Sequence, residues 1–172
     1  MTRFSSRNIS TSTVPASTEQ IWTLISNPAT LASLTPLVRS IDGDGDLWVW
    51  SLAGISALGL TVAPTFTERM DFVDRRQIVF SHRPPDGSDE KAGAAGTYKL
   101  FPVDATHTRL AVDITLHIEL PLPRLVARTV EGVMAATMKH TGARFATNLY
   151  ERLGLDPATI DIAAVDPGTT AP

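Results

Sequence analysis

The last long stretch of the chain without proline limits the fold more than any other segment. Residues 125–153 carry apolar side chains at steps of three and four residues. These positions are Val126, Val130, Val133, Met134, Met138, Phe145, Leu149 and Leu153. The spacing predicts a single amphipathic helix, roughly 40 Å long at 1.5 Å per residue. A helix of this length needs an equally long apolar surface to cover.

The segments before this helix alternate apolar and polar residues, which is typical of strands in a half-buried sheet. The clearest is residues 110–120, whose apolar positions are Leu110, Val112, Ile114, Leu116, Ile118 and Leu120. Residues 60–72 alternate in the same way and predict one continuous strand, with Glu68 as the only charged residue among its apolar positions. Short turns join most strands between residues 37 and 120, which indicates an antiparallel sheet.

Two short helices are predicted between the first strand, within residues 4–14, and this sheet. Ser17 and Gln20 form a capping-box pattern at the start of the first helix. Pro28 then ends that helix and suits the first turn of a second one, which carries Leu31 and Leu34. The sequence therefore predicts an α+β fold in which a curved antiparallel sheet wraps around the long helix and the two short helices close one end.

Length and composition indicate one domain. The chain has 172 residues, 43% of them hydrophobic, which suffices for a single core. We expect that domain to span residues 1–154. Residues 155–172, LDPATIDIAAVDPGTTAP, contain three prolines and no periodicity, so they predict a disordered tail.

The charge and the residue content exclude several classes of protein. The net charge is −3 and there is no basic run, which argues against nucleic acid as a partner. The chain has no cysteine, hence no disulfide or thiolate metal site. No apolar run approaches the roughly 20 residues of a membrane helix, and the N-terminus is too polar for a signal peptide. These features predict a soluble, cytoplasmic protein without an integral membrane segment.

Two stretches and the long helix resemble a known family. VPASTEQIWTLISNPATLASLTP is similar to the strand exit and helix pair of the START/Bet v 1-like (SRPBCC) superfamily, in its polyketide cyclase/dehydrase-type members. GTYKLFPVDATHTRL resembles the penultimate hairpin of that family, and the match spans roughly residues 5–153. The resemblance implies a helix-grip fold with a cavity between sheet and helix. Members of the family bind or transfer hydrophobic molecules, and a minority catalyse cyclisation or dehydration without a universal catalytic motif.

Glu68 is the sharpest candidate for chemistry. Alternation places its carboxylate beside Phe66 and Met70, where an unpaired charge is costly and a raised pKa is expected. It could orient or protonate a ligand. Alternatively, a bulge rotates it outward, or an arginine from the helix pairs with it. His140, beside the inner stripe of the helix, is a second and weaker catalytic candidate.

A wider set of residues shares the predicted inner faces of the strands and the helix. These candidate ligand-binding residues are Trp48, Trp50, Phe66, Glu68, Met70, Phe80, Tyr98, Leu100, Val112, Ile114, Leu116, Val130, Met134, Thr137 and Met138. Ordinary core packing would produce the same pattern. Small residues in the N-terminal half of the long helix, such as Gly132 and Ala135, predict that this half lines the cavity.

No metal or cofactor is expected. The four histidines lack the spacing of metal-binding motifs. Asp42, Asp44 and Asp46 resemble the start of a calcium loop, but Ala53 stands where that loop needs glutamate. We interpret these aspartates as a hairpin turn.

Three functions remain open at this stage. The leading one is binding or transport of a small hydrophobic ligand, lipid- or polyketide-like, by a monomer or homodimer, because no acid–base pair is evident. The second is a polyketide cyclase or dehydratase that uses Glu68 or His140 for proton transfer. The third is a module that docks on a partner protein.

Overall fold

The computed structural model describes residues 1–164, apart from the side chains of residues 55, 57 and 162–164, and residues 165–172 lie outside the description. The helices are α1 (Thr18–Ile25), α2 (Pro28–Leu34) and α3 (Ala127–Arg152). The strands are β1 (Thr2–Val14), β2 (Val38–Asp44), β3 (Leu47–Leu52), β4 (Ile55–Ala57), β5 (Leu60–Val62), β6 (Thr65–Val73), β7 (Gln77–His82), β8 (Ala92–Pro102), β9 (Thr108–Leu120) and β10 (Ile162–Ala164).

Eight of these strands form one antiparallel sheet. Their order is β10-β1-β9-β8-β7-β6-β3-β2. The two longest, β1 and β9, pair along their whole length, from Thr2 opposite Leu120 to Val14 opposite Thr108. On β6, Phe66, Glu68 and Met70 are buried on the face that α3 covers, which we call the inner face. The predicted antiparallel sheet with one buried face is confirmed.

The two short helices form as predicted. The Ser17 hydroxyl accepts a hydrogen bond from the Gln20 amide, and the Gln20 side chain accepts one from the Ser17 amide. Asn27 caps α2 through Thr30 N, with Pro28 at the first turn. The side-chain amide of Asn148 on α3 donates a 3.0 Å hydrogen bond to the carbonyl of Leu34. This contact fixes the end of α2 against α3.

The long helix also forms as predicted. A short 3₁₀ turn, Arg124–Val126, leads into α3, so the α-helix begins two residues later than residue 125. Val130, Met134, Leu149 and Tyr150 are its buried residues. The sheet, the long C-terminal helix and the two short helices after β1 together confirm the helix-grip fold.

The predicted strand over residues 60–72 is interrupted. Leu60–Val62 instead pairs with Ile55–Ala57 as a separate two-stranded hairpin, and the sheet strand begins only at Thr65. Leu58 (φ 51°) and Gly59 (φ 79°) turn that hairpin. Pro64 ends it, because proline has no amide to donate to a strand ladder.

The expected disorder from residue 155 does not describe residues 155–164. Leu155 and Ile160 pack against the core, and Asp156 caps a 3₁₀ turn at Pro157–Thr159. Strand β10 then pairs with β1, with Ser10 opposite Ala164. The remainder of the predicted tail, residues 165–172, lies outside the described residues. Within the described part, no helix has the length and hydropathy to cross a membrane.

Candidate functional site

A cavity of about 150 Å³ lies between the inner face of the sheet and α3. We call it the central cavity. Residues from β1, β3, β6, β7, β8 and β9 form its walls, α3 forms its cover, and the segment after α2 closes one end. Its lining residues are Asn8, Ser10, Thr35, Leu37, Val38, Trp50, Leu52, Phe66, Glu68, Phe80, Ala94, Tyr98, Val112, Ile114, Leu116, Met138, Thr141, Gly142 and Phe145.

Many of the predicted binding residues line this central cavity. They are Trp50, Phe66, Glu68, Phe80, Tyr98, Val112, Ile114, Leu116 and Met138. Each comes from an apolar position of an alternating strand or from the buried stripe of α3. Whether these residues contact a ligand stays a prediction.

Other predicted binding residues lie outside the central cavity. Trp48, Met70 and Leu100 are buried in solid core, and the Trp48 ring packs 5.6 Å from that of Phe72. Alternation identifies the inner face of a strand, but not how far along the strand a cavity extends.

On α3, the small residues of the N-terminal half do not open the central cavity. Val130 and Met134 line a separate space of only about 30 Å³, and Thr137 is half-buried without lining either space. The central cavity instead meets α3 at Met138, Thr141, Gly142 and Phe145.

The second catalytic candidate, His140, is exposed and does not line the central cavity. Met138 and Thr141 face the sheet, and successive residues of a helix are about 100° apart. The ring of His140 therefore lies off that face. This placement gives His140 no route to a ligand in the cavity.

The sequence analysis missed cavity residues on several elements, including Leu52 on β3 and Ala94 on β8. Asn8 and Ser10 come from β1, and Thr35, Leu37 and Val38 follow α2. The even positions of β1 carry polar residues between Phe4 and Val14, so an apolar alternation could not reveal them. Gly142 was also missed. In the structure it lies close to β1, since a Cβ at this position would be 3.8 Å from Asn8 Nδ2. Phe145, an apolar position of the predicted helix that was not among the candidate binding residues, also lines the cavity.

Glu68 is the only charged residue among those lining the central cavity. Its side chain is 1% exposed, and Oε2 has no hydrogen-bond partner among the described residues. Burial raises the pKa of this carboxyl well above its ordinary value of 4.5. Neither an outward bulge nor a pairing arginine occurs, so nothing in the wall offsets the effect of burial, which favours the protonated carboxyl.

Two further polar groups line the same cavity. The indole Nε1 of Trp50 is buried and, like Glu68 Oε2, has no partner in the described part of the chain. Burial, and to a smaller extent the nearby Glu68, raise the pKa of the Tyr98 phenol. Tyr98 therefore remains a neutral hydroxyl.

A second space of about 230 Å³ lies beside the central cavity, between β1, β9 and α3. We call it the side slot. It shares Asn8, Ser10, Val112, Gly142 and Phe145 with the central cavity. The two spaces are therefore neighbours, with the Phe145 ring in the wall between them.

A hydrogen-bonded cluster holds the loop between β7 and β8 behind Phe66. Glu90 accepts hydrogen bonds from Thr67 N and Oγ1, both 2.8 Å, and from His82 Nε2, 2.9 Å. Burial opposes ionisation of Glu90, but these bonds outweigh it and lower the pKa of its carboxyl. The His82 ring packs edge-on against Phe66, with centroids 6.4 Å apart. The cluster thus supports a cavity wall from outside.

Among residues 1–164, no group of three or more histidine, aspartate or glutamate side chains is arranged to hold a metal ion. Asp42 and Asp44 lie in β2, opposite Val49 and Leu47 of β3, and Asp46 lies in the turn that follows, where Gly45 has φ 60°. The three aspartates thus belong to the hairpin that we interpreted from the sequence.

A curved sheet that grips a long helix over an apolar cavity defines a helix-grip protein. The sequence profile of the family described as polyketide cyclase / dehydrase and lipid transport matches residues 6–153. The chain therefore belongs to this family. None of the curated proteins matches the chain in sequence.

Solved structures share the fold at low sequence identity. The Zhui aromatase/cyclase from Streptomyces sp. R1128 is 15% identical with a TM-score of 0.63, covering 87% of this chain and 94% of that one. A START superfamily protein from Mycobacterium smegmatis is 17% identical with a TM-score of 0.61, covering 86% and 98%. A conserved protein from Geobacillus kaustophilus is 14% identical with a TM-score of 0.63, covering 91% and 98%. At these identities the likeness concerns the fold.

Proposed function

We propose that this protein binds a small hydrophobic molecule, lipid- or polyketide-like, in the central cavity. The observation that carries the proposal is the cavity itself, whose wall is mostly aliphatic and aromatic. Ligand sites are mostly apolar concave spaces with a few polar groups that fix orientation. At about 150 Å³, the space suits one ring or a short chain, and the adjoining side slot offers further room.

Binding without bond-making is favoured over catalysis by the titratable groups of the cavity. Among its lining residues these are Glu68 and Tyr98, and burial raises the pKa of both, which favours their protonated forms. General acid–base catalysis needs a base as well as an acid within reach of the substrate. Among the residues that the structure describes, no histidine or second carboxylate lines the cavity as a partner for Glu68.

Two tryptophan substitutions on α3 test the proposal. Met138→Trp places an indole in the central cavity and should abolish binding of α-methylstyrene, a single-ring hydrocarbon probe, measured by chemical-shift titration of the full chain. Met134→Trp is the matched control, because Met134 faces only the space of about 30 Å³. The control should retain probe binding while losing about 1–3 kcal/mol of stability through overpacking.

The opposite pattern would contradict the proposal. If the wild-type protein takes up no probe, or if Met138→Trp binds it as well as wild type does, the central cavity is not the binding site. Native mass spectrometry of protein from its own host adds an independent check, because a retained hydrophobic molecule would identify the ligand.

A cyclase or dehydratase is the second candidate, and the buried acid Glu68 is the observation that favours it. A neutral carboxyl at the wall of a cavity could protonate a carbonyl or a leaving hydroxyl of a polyketide-like chain. In that case Glu68→Gln would abolish turnover of the host-derived ligand while leaving its binding intact. Recovery of the ligand chemically unchanged after prolonged incubation would instead support binding alone.

The cytoplasmic location and the monomeric or homodimeric state stay predictions from the sequence. The module that docks on a partner protein also stays an alternative.

A further inference from the structure

Two fully buried polar atoms of the central cavity lack a hydrogen-bond partner among the described residues, and they belong to neighbouring strands. Trp50 on β3 pairs with Phe66 on β6, and Trp48 pairs with Glu68. Trp50 and Glu68 are therefore diagonal neighbours on the inner face, close enough for both side chains to reach one ligand atom. Trp50 Nε1 and Glu68 Oε2 are both buried without a hydrogen-bond partner among the described residues. Such groups are rare in folded proteins, because each loses its hydration without compensation.

Both residues are able to donate hydrogen bonds. An indole N–H is a donor only, and a protonated carboxyl carries one O–H donor. Burial without a charged partner raises the pKa of Glu68 and so favours the protonated, donating form of its carboxyl. The terminal torsion of a glutamate side chain is broad, so either oxygen can turn toward the cavity. Two neighbouring donors match an oxygen with two lone pairs.

The groups around Glu68 offer no opposite charge that would stabilise a charged ligand. On β8 the neighbour is the neutral phenol of Tyr98, and on β7 it is His82, which bonds Glu90 instead. The α3 residues that line the cavity are uncharged, as are those from β1 and from the segment after α2. Among the residues that line the central cavity, no cation would balance a ligand carboxylate beside Glu68; Lys139 lines only the side slot. A ligand ammonium would first require ionisation of the buried Glu68.

We propose that Glu68 and Trp50 form a subsite that donates hydrogen bonds to one uncharged acceptor oxygen, such as a ketone or aldehyde carbonyl, on an otherwise apolar ligand. This assignment rests on the central cavity being the binding site. It narrows the ligand class to neutral carbonyl compounds. Free fatty acid anions and amines are thereby disfavoured.

Two isosteric probes test the subsite on the full chain. Acetophenone carries a carbonyl where α-methylstyrene carries a CH₂ group, so the two differ mainly in the acceptor oxygen. Because the ketone is also better hydrated in water, affinities are compared between variants for each probe rather than between probes. Dissociation constants come from chemical-shift titrations at pH 7.

The expected result is a selective loss for the ketone. Trp50→Phe and Glu68→Leu should each weaken acetophenone about threefold to tenfold, the net contribution of one hydrogen bond, and change α-methylstyrene less than about twofold. Glu68→Gln should keep acetophenone within about twofold of wild type, because the amide also donates. Trp48→Phe, on the same strand and face but outside the cavity, is the matched control and should change neither probe.

Three results would overturn the subsite. Equal losses for both probes would mean that Trp50 and Glu68 only shape the cavity. An unchanged acetophenone affinity in both Trp50→Phe and Glu68→Leu would mean that neither residue donates to it. A benzylammonium probe that binds wild type tightly, but not Glu68→Gln, would mean that Glu68 acts as an anion. If neither acetophenone nor α-methylstyrene binds wild type, the ligand-binding function fails, and the subsite fails with it.

Discussion

At the scale of single residues, Glu68 is where folding and function conflict. A carboxyl buried among Phe66, Met70 and Trp50 without a partner for Oε2 costs stability that an apolar residue would not. A protein that tolerates such a group commonly uses it, because unsatisfied and perturbed groups concentrate at functional sites. The conflict is therefore evidence for the role of the cavity, and it has a measurable consequence for stability.

The stability of the wild-type protein should fall as pH rises above about 4.5. In the unfolded chain Glu68 ionises near its ordinary pKa of 4.5, whereas the folded protein holds the proton because its pKa is raised. Between these two pKa values unfolding releases a proton, so the free energy of unfolding drops by up to about 1.4 kcal/mol per pH unit. Urea denaturation at pH 5 and pH 8 measures this change.

Glu68→Gln is the control for that experiment, because it cannot ionise. The difference in stability between wild type and Glu68→Gln should shift in favour of the variant from pH 5 to pH 8. A difference that stays constant over this range would show that Glu68 is not a protonated acid in the folded state.

At position 93, close packing requires glycine. A Cβ at Gly93 would lie 2.3 Å from Cγ of His82, so the ring could not keep its place against Phe66 and Glu90. We predict that Gly93→Ala lowers the free energy of unfolding by about 1–3 kcal/mol, which chemical denaturation would detect.

Two comparisons test whether the loss of stability in Gly93→Ala comes from the clash with His82 rather than from replacing a glycine with alanine as such. Adding His82→Ala should restore part of the stability lost in Gly93→Ala, giving a clearly non-additive double-mutant cycle. Gly132→Ala, at a helical position with open space around it, should instead raise stability by about 0.5–1 kcal/mol. Additive losses at residues 82 and 93 would contradict the proposed clash.

At the scale of elements, the middle of α3 decides how much space remains under it. Gly142 brings the helix close to Asn8 of β1, and Phe145 separates the central cavity from the side slot. Small residues at this crossing let the helix approach the sheet, and the long side chains of Met138 and Phe145 reach into the space beside it. The size of the cavity is thus set by the pairing of one helix turn with one strand.

Substitutions at Gly142 should separate helix stability from cavity access. Gly142→Ala should raise stability by about 0.5–1 kcal/mol and keep probe binding, because its Cβ would make only an ordinary contact. Gly142→Leu should extend into the cavity wall and weaken α-methylstyrene binding at least tenfold. Thermal melts and the same titrations measure both. Unimpaired binding by Gly142→Leu would show that the ligand does not approach this turn.

At the scale of the whole molecule, the C-terminal segment closes the outer edge of the sheet. Strand β10 covers part of the free edge of β1, and Ile160 packs against the core before it. An uncovered edge strand presents unpaired backbone groups that invite association with other chains. Residues 155–164 thus pack against the core and pair with β1.

Truncation after Leu155 should therefore destabilise the protein. Relative to a chain that ends at Ala164, we expect a loss of about 1–2 kcal/mol from the exposure of Ile160 and the lost pairing with β1. Differential scanning calorimetry would show this as a lower Tm. Equal Tm values for the two truncated chains would show that residues 156–164 do not contribute to stability.

The order and type of the elements could be predicted because their signals are local. The Ser17 and Gln20 capping box, the Pro28 break and the alternation of residues 110–120 each depend on neighbours a few residues apart. Misreadings arose where the decisive partner was distant. The strand β10 forms because the edge of β1 is free to pair with it. The short apolar segment between prolines contains no local signal for this distant partner.

For the site, the sequence determined which side chains face inward, and only the tertiary structure decided which of them border a cavity. Glu68 and Met70 share one face of β6, yet Glu68 lines the cavity and Met70 lies in solid core. Alternation has a period of two residues and contains no information about position along a strand. That position depends on where α3 approaches the sheet. Near Gly142 and Asn8 the side chains leave the central cavity and the side slot, whereas only about 30 Å³ remains beside Val130 and Met134.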